Sequence, residues 1–245
     1  MTMLASDLKV LYHLALRPVR GRDHAQRMED FYRGQAEHYD RFRQRLLHGR
    51  EELFRSLPVP EDGVWVDLGG GTGANLRWLE ERISKLRRVY VVDLAGSLLR
   101  VARLQAEVLG WRNVETVCGD AASFRPAEGQ ADVVTFSYAL TMIPDWYAAV
   151  ANAAAMLKPG GMIGVADFYV SRKHPADGLA RHRWPTRALW PLWFALDNVC
   201  LSPDHLPFLQ RHFETVALRE DRSKVPYLPL AKVPYYVFLG RKPLT

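Results

Sequence analysis

Cysteine is nearly absent from this chain of 245 residues: Cys118 and Cys200 lie far apart and form no Cys-x-x-Cys pair. That excludes a disulfide scaffold and a cysteine-held zinc site, and it fits a reducing compartment. Long apolar runs are missing as well. The longest uncharged stretches, 133–144 and 146–157, hold 12 residues each and are split by Asp145, whereas a spanning helix needs about 20. The run Met3–Leu16 is interrupted by Asp7 and Lys9 and has no basic segment before it, so it does not read as a secretory signal. A cytoplasmic protein is the expectation. Repeats and low-complexity segments are also absent, and lysine is scarce. Of the 33 basic residues 26 are arginine, the side chain that forks onto carboxylate and phosphate.

What is present is unevenly charged. The net formal charge is +3 over residues 1–60, −3 over 61–170 and +6 over 171–245. Basic flanks around an acidic middle suit an anionic partner, either nucleic acid or an anionic membrane face; a plainly solvated surface is the alternative. At roughly 150 residues per domain, residues 1–245 read as a single domain in four parts. These are an N-terminal helical cap (1–60), a core (61–170), an insertion (171–213) and a closing pair of strands (214–245).

Apolar spacing fills in those parts. Leu4, Leu8, Leu11, Tyr12 and Ala15 make one helical stripe, and 23–57 reads as further helix ending at Pro58. From Gly63 the pattern alternates. Strands are expected at 64–68, 88–92, 114–118, 131–136 and 162–168, with helices at 75–84, 97–109 and 146–157. Such alternation predicts an α/β fold, a doubly wound and mostly parallel sheet. Segment 171–213, rich in Arg, His, Trp and Pro, has no clean period. Two strand-like runs follow at 214–218 and 235–240. The link between them is too short for a crossover helix, so they should be antiparallel.

The core carries the chemistry. Val64-Trp65-Val66-Asp67-Leu68-Gly69-Gly70-Gly71-Thr72-Gly73 is a strand entering a glycine turn that opens a helix. Glycines let the backbone approach a ligand closely, and the helix start offers oriented N–H groups. Asp93 ends the next strand, where a carboxylate can accept from both ribose hydroxyls of a nucleoside. Asp120 follows the third strand and can meet an adenine edge. Gly69-x-Gly71-x-x-Ala74 also satisfies the looser dinucleotide fingerprint, so an NAD-linked oxidoreductase has to be weighed. Asp67 argues against it, because its carboxylate would repel a pyrophosphate. The same carboxylate could orient a cationic, amino-acid-bearing ligand.

Together with Leu157-Lys158-Pro159-Gly160-Gly161, these motifs resemble the class I methyltransferases that use S-adenosylmethionine. The resemblance covers residues 60–170 and implies a seven-stranded Rossmann-like sheet. It implies that Asp67, Gly69, Gly71 and Gly73 lie around the methionine moiety, Asp93 and Leu94 at the ribose, and Asp120 and Ala121 at the adenine. Ser137 would lie beside the cofactor, and Tyr39, in the N-terminal helical segment, would fold over it.

Substrate class comes from the flanks. The Asn/Asp-Pro-Pro-Tyr/Phe run of base-amine methylating enzymes is replaced by Phe136-Ser137-Tyr138-Ala139, which disfavours nucleic acid, and two cysteines are too few for arsenite methylation. Five segments closely resemble the betaine-lipid N-methyltransferases. They are Phe31-Tyr32-x-x-Gln35-Ala36-x-x-Tyr39-Asp40, Arg45-Leu46-Leu47-His48-Gly49-Arg50-Glu51, Thr141-Met142-Ile143-Pro144-Asp145-Trp146, Asp197-Asn198-x-x-Leu201-Ser202-Pro203-Asp204-His205 and Lys232-Val233-Pro234-Tyr235-Tyr236. That resemblance implies trimethylation of the amine of diacylglycerylhomoserine. It also implies, as a further partner, the upstream aminocarboxypropyl transferase of the same pathway. A methyltransferase of another small or lipid-like amine, and a non-catalytic lipid-binding module, are the competing readings.

Methyl transfer to an amine is an in-line displacement with a neutral leaving group. Alignment and exclusion of water then matter more than a metal, and none is expected. Tyr138 is the candidate catalytic residue, orienting the amine; Arg45, Arg50 and Arg183 are candidates for the homoserine carboxylate. His48 and His205 can touch substrate or serve as hydrogen-bonded structural residues. Cys118, ending an apolar strand, reads as buried filler. Arg181, Trp184, Arg187, Trp190 and Trp193 read as a face for an anionic membrane surface, peripheral to its inner leaflet. Their alternatives are a packed cap, with the aromatics facing the core, or a stacking platform for single-stranded nucleic acid.

Overall fold

A computed structural model of the chain describes residues 26, 29, 46–195, 199–225 and 231–244. The expected helices at 3–16 and over most of 23–45, with Tyr39 and Arg45, lie outside the described residues. So do Asp197 and Asn198.

Seven strands form one sheet: β1 (Val64–Leu68), β2 (Arg88–Asp93), β3 (Val114–Cys118), β4 (Ala131–Ser137), β5 (Leu157–Phe168), β6 (Glu214–Lys224) and β7 (Lys232–Arg241). Their spatial order is β3-β2-β1-β4-β5-β7-β6. β1 to β5 are parallel, β7 runs antiparallel to β5, and β6 pairs antiparallel with β7, as the short link predicts. The chain runs outward from β1 through β2 to β3, then crosses back to β4 on the other side of β1, so the winding direction reverses between β1 and β4. This opens a crevice at the carboxyl ends of the strands, where doubly wound sheets bind ligands.

Both faces of the central strands are buried. Trp65, Val89, Val91 and Val133 join the core on one face; Val64, Val66, Leu68, Val92, Val134 and Phe136 join the core on the other. Helices cover both faces: α1 (Arg50–Ser56), α2 (Gly96–Val108), α3 (Trp146–Met156), α4 (Trp184–Ala195) and α5 (His205–His212).

Four expectations need correction. The segment Ala74–Lys85 is a 3₁₀ helix broken at Glu80, whose φ is 53°, rather than an α-helix. Leu76 and Leu79, three apart, share a face at three residues per turn, and the break returns Ile83 to the same core. The insertion contains two helices where no period was visible. Trp190 and Phe194 of α4 face inward while Leu192 and Trp193 face outward, so both sides are apolar and amphipathic contrast is lost. Cys118 is exposed rather than buried, because β3 is the outermost strand on its side of the sheet. Trp190 is 5% exposed and packs on Phe194 with ring centroids 5.9 Å apart, so it cannot face a membrane.

Candidate active site

The crevice holds a cleft of about 250 Å³ whose lining includes Gly69, Asp93, Leu94, Asp120, Ala121 and Tyr138. Strand β1 ends in the glycine turn, and both Gly69 N and Gly70 N donate to Val92 O, at 2.8 and 3.1 Å. Gly69 has φ +69°, and a Cβ there would lie 2.5 Å from the Ala139 Cβ. Only glycine allows that turn and that close approach. Gly71 N donates to Asp93 Oδ2 and Ala95 N to Asp93 Oδ1, both at 2.9 Å. The Asp93 carboxylate therefore ties the glycine turn to the start of α2 and remains half-buried at the cleft wall. Glu29, distant in sequence, accepts from Ser97 N and Ser97 Oγ at 3.0 and 3.1 Å, supplying an acid at the α2 start, whose N-cap Ala95 makes no side-chain cap. Asp120 is exposed at the rim and accepts from Ala122 N at 2.8 Å.

Asp67, Gly71, Gly73 and Ser137 are not in the cleft wall. Asp67 is fully buried and accepts from Thr135 Oγ1 at 2.7 Å, and Thr135 Oγ1 accepts in turn from the Trp65 indole at 3.1 Å. This chain of bonds pins β1 to β4 beneath the glycine turn. Ser137 Oγ is buried without a hydrogen-bond partner.

Tyr138 caps β4 with φ 55°, rare for a side chain of this size and held by its surroundings. Its N–H donates to Ala166 O at 2.7 Å, and its phenol donates to His48 O at 2.7 Å. Burial, then the Asp167 charge, push the phenol well above the usual tyrosine range, so it stays protonated. The 46–51 segment thus meets the end of β4 through His48. Arg50 is not a cation waiting for a carboxylate. It is 5% exposed, donates to Leu47 O and Asn75 Oδ1, and stacks 5.4 Å from the Trp78 ring. Arg183 is exposed in the insertion and does not line the cleft.

The rest of the wall comes from the loop after β4, with Ala139, Met142, Ile143, Pro144 and Asp145, and from Leu98, Gly119 and Ala122. Sequence reasoning gave no role to Met142, Ile143, Pro144, Asp145, Leu98, Gly119 or Ala122, although 141–146 stood among the family motifs. A hidden group holds this loop. Asp167, at the end of β5 and fully buried, accepts from Thr141 Oγ1 at 2.8 Å and Thr141 N at 3.2 Å. Burial pushes its carboxyl up to about 7, with the Thr141 hydrogen bonds pulling the other way. Thr141 O accepts from Cys200 N at 2.8 Å, which joins the insertion to the same loop. His205 is fully enclosed, with both ring nitrogens lacking partners, and burial drives it down to about 3. It is structural rather than substrate-facing.

Residues 66–161 match a family model described as a methyltransferase domain. The ubiquinone/menaquinone biosynthesis C-methyltransferase UbiE of Pseudomonas fluorescens is 26% identical over 171 residues, 66% of this chain and 66% of that protein. Among solved structures, a phosphoethanolamine N-methyltransferase 2 of Haemonchus contortus, in complex with phosphomonomethylethanolamine and S-adenosylhomocysteine, superposes with a TM-score of 0.65. Its identity is 16%, over 92% of this chain and 61% of that one. The N-methyltransferase NodS of Bradyrhizobium japonicum with S-adenosylhomocysteine gives 0.56 at 15% identity, covering 84% of this chain and 87% of that one. Residues 66–161 are therefore similar to a methyltransferase domain, carried on the Rossmann-like sheet that those solved structures share.

Proposed function

We propose that the chain is a class I methyltransferase that uses S-adenosylmethionine, and that its reaction is N-methylation of a lipid headgroup amine. Diacylglycerylhomoserine is the substrate, trimethylated to the betaine lipid, and the upstream aminocarboxypropyl transferase is the partner that supplies it. The sequence segments that resemble those of betaine-lipid N-methyltransferases support the substrate. The observation that carries the reading is Tyr138, a residue of the cleft lining whose phenol, held protonated, commits its own hydrogen to His48 O.

The cleft suits the cofactor. Gly69 leaves no side chain between the turn and Ala139, Asp93 presents a carboxylate already oriented by two amides, and Leu94, Leu98, Met142 and Ile143 supply an apolar slot ending at Asp120. In this reading Asp93 takes the ribose hydroxyls and Asp120 with Ala121 takes the adenine edge. When bound, the cofactor supplies an electrophilic methyl on a sulfonium. The chain has to present an unprotonated nitrogen to it. A primary amine with a pKa near 10 is mostly protonated at neutral pH, and only the neutral form attacks. With its proton held by His48 O, the Tyr138 oxygen can accept from the amine N–H and aim the lone pair. It is too weakly acidic to form a phenolate base. Before each transfer the ammonium gives its proton to solvent water; the neutral amine then brings its own lone pair, so orientation by a neutral acceptor suffices. A carbon nucleophile would need a proton withdrawn first.

The test is incubation with radiolabelled S-adenosylmethionine and detergent-dispersed diacylglycerylhomoserine, following label into a chloroform-soluble product. The expected result is stepwise addition of three methyl groups at nitrogen. Label appearing only on the ring carbon of a quinone precursor would replace this reading with the C-methylation named for the UbiE relative.

A further inference from the structure

Among the described residues no helix is long and apolar enough to cross a membrane. Helix α4 nevertheless has an apolar face turned to solvent. Trp184 is 77% exposed, Leu189 56%, Leu192 72% and Trp193 47%. Leu189, Leu192 and Trp193 stand three and four apart and share one side, opposite Trp190 and Phe194. Several large apolar side chains gathered on one exposed face mark a docking surface rather than scattered surface hydrophobics. α4 itself carries no acidic residue, and residues 171–195 hold Arg172, Lys173, Arg181, Arg183 and Arg187 against Asp177 alone. Lys173, Arg181 and Arg183 are exposed, whereas Arg172 is engaged by Asp204 and Arg187 donates to Ser171 O.

From this juxtaposition we propose that the outer face of α4 seats on an anionic bilayer, with Leu192 and Trp193 entering the headgroup boundary and Lys173, Arg181 and Arg183 meeting lipid charge. The inference rests on the lipid-substrate reading above and names the surface that reading requires. Tryptophan at headgroup depth with cations beside it is the composition of an interfacial helix. A second copy of the chain is the poorer occupant. A two-fold contact would bring the same uncompensated cations face to face.

The buried side of the helix gives the placement its use. Phe194 packs on Phe168 with ring centroids 5.0 Å apart, and Phe168 packs on Tyr138 at 4.6 Å. A helix resting on the bilayer is thus two aromatic contacts from the residue that would orient the amine. A headgroup could reach the cleft while its acyl chains stay in the membrane.

The experiment uses the full chain with vesicles of phosphatidylcholine, alone and mixed with phosphatidylglycerol. Binding by co-sedimentation should rise with the phosphatidylglycerol fraction and fall as salt is added, because the attraction fades within about 10 Å at 0.1 M salt. The paired substitution Leu192→Ser and Trp193→Ser should weaken binding about tenfold or more. Turnover of detergent-dispersed substrate should stay at the wild-type rate. Binding unchanged by the pair, or equal on neutral and anionic vesicles with no salt effect, overturns the proposal. So does a wild-type dimer that the pair dissociates in sedimentation. Wild-type chain that binds as expected but methylates no amine lipid leaves the docking surface standing and removes the function reading. Methylation without vesicle binding does the reverse.

Discussion

Asp93 and Asp167 end two parallel strands of the same sheet, β2 and β5, and both accept backbone amides. They sit in different media. Asp93 is half-buried in the cleft wall and in reach of a ligand. Asp167 is sealed beneath the loop after β4, where burial lifts its carboxyl to about 7. One region is built to exchange partners and the other to keep them. The sealed carboxylate fixes Thr141, and Thr141 fixes the loop that lines the cleft. Position at a strand end is shared; access to solvent separates the two roles.

The largest effect expected to sharpen this contrast is on stability against pH. Asp167 has a folded-state value raised above the ordinary carboxylate range. Its contribution is fully present below about pH 4 and is lost as pH rises to about 7. His205, held down to about 3 by burial, acts with the opposite sign. Its contribution is present above its ordinary 6.5 and is lost as pH falls toward 3. Each amounts to something on the order of 4 kcal/mol across its window, and between about pH 4 and 6.5 they oppose each other. His182, lowered to about 4, adds to the His205 side. Urea unfolding at a series of pH values should give a shallow wild-type profile. Asp167→Asn should unmask a steep rise with pH. Parallel profiles for the two proteins would mean that the Asp167 carboxyl does not titrate in this range.

Next comes the glycine turn on the open side. Gly69→Ala puts a Cβ against Ala139 at a left-handed φ, and a cost of about 3 kcal/mol in stability is expected. A melting temperature equal to wild type would show that the turn relaxes freely. Asp93→Ala should behave unlike any change at Asp167. It should reduce affinity for S-adenosylhomocysteine by about 2–3 kcal/mol in calorimetric titration; wild-type affinity would remove Asp93 from the ribose. The smallest effect is expected for Tyr138→Phe, which keeps the ring contact with Phe168 and deletes one oxygen. Turnover should fall about tenfold, or about 1.4 kcal/mol, with cofactor affinity intact. Equal turnover at saturating substrate would show that the phenol does not aim the amine.

Five parallel strands, the glycine turn and the acids at the ends of β2 and β3 were all readable along the chain, because each is written in neighbouring residues. Alternating and continuous apolar runs report strands, and glycine reports a turn no other residue allows. Strand ends follow from where those runs stop. The α4 helix was not readable. Its two apolar sides look alike in sequence, and only the packing of Trp190 and Phe194 against β5 says which side is left for solvent. The exposure of Cys118 depended in the same way on which strand the sheet left outermost.

Element order, the parallel core and the acids at the carboxyl ends of the strands are thus encoded locally, since they depend on neighbouring residues and on rules of connection. Long-range packing alone sets which side chains share a cavity, that Arg50 is enclosed while Arg183 lies outside the cleft lining, and that Asp167 holds the loop from beneath. Burial and the partners that accompany it are set by residues tens of positions away. A carboxylate's proton affinity follows from that surrounding rather than from its neighbours in the chain.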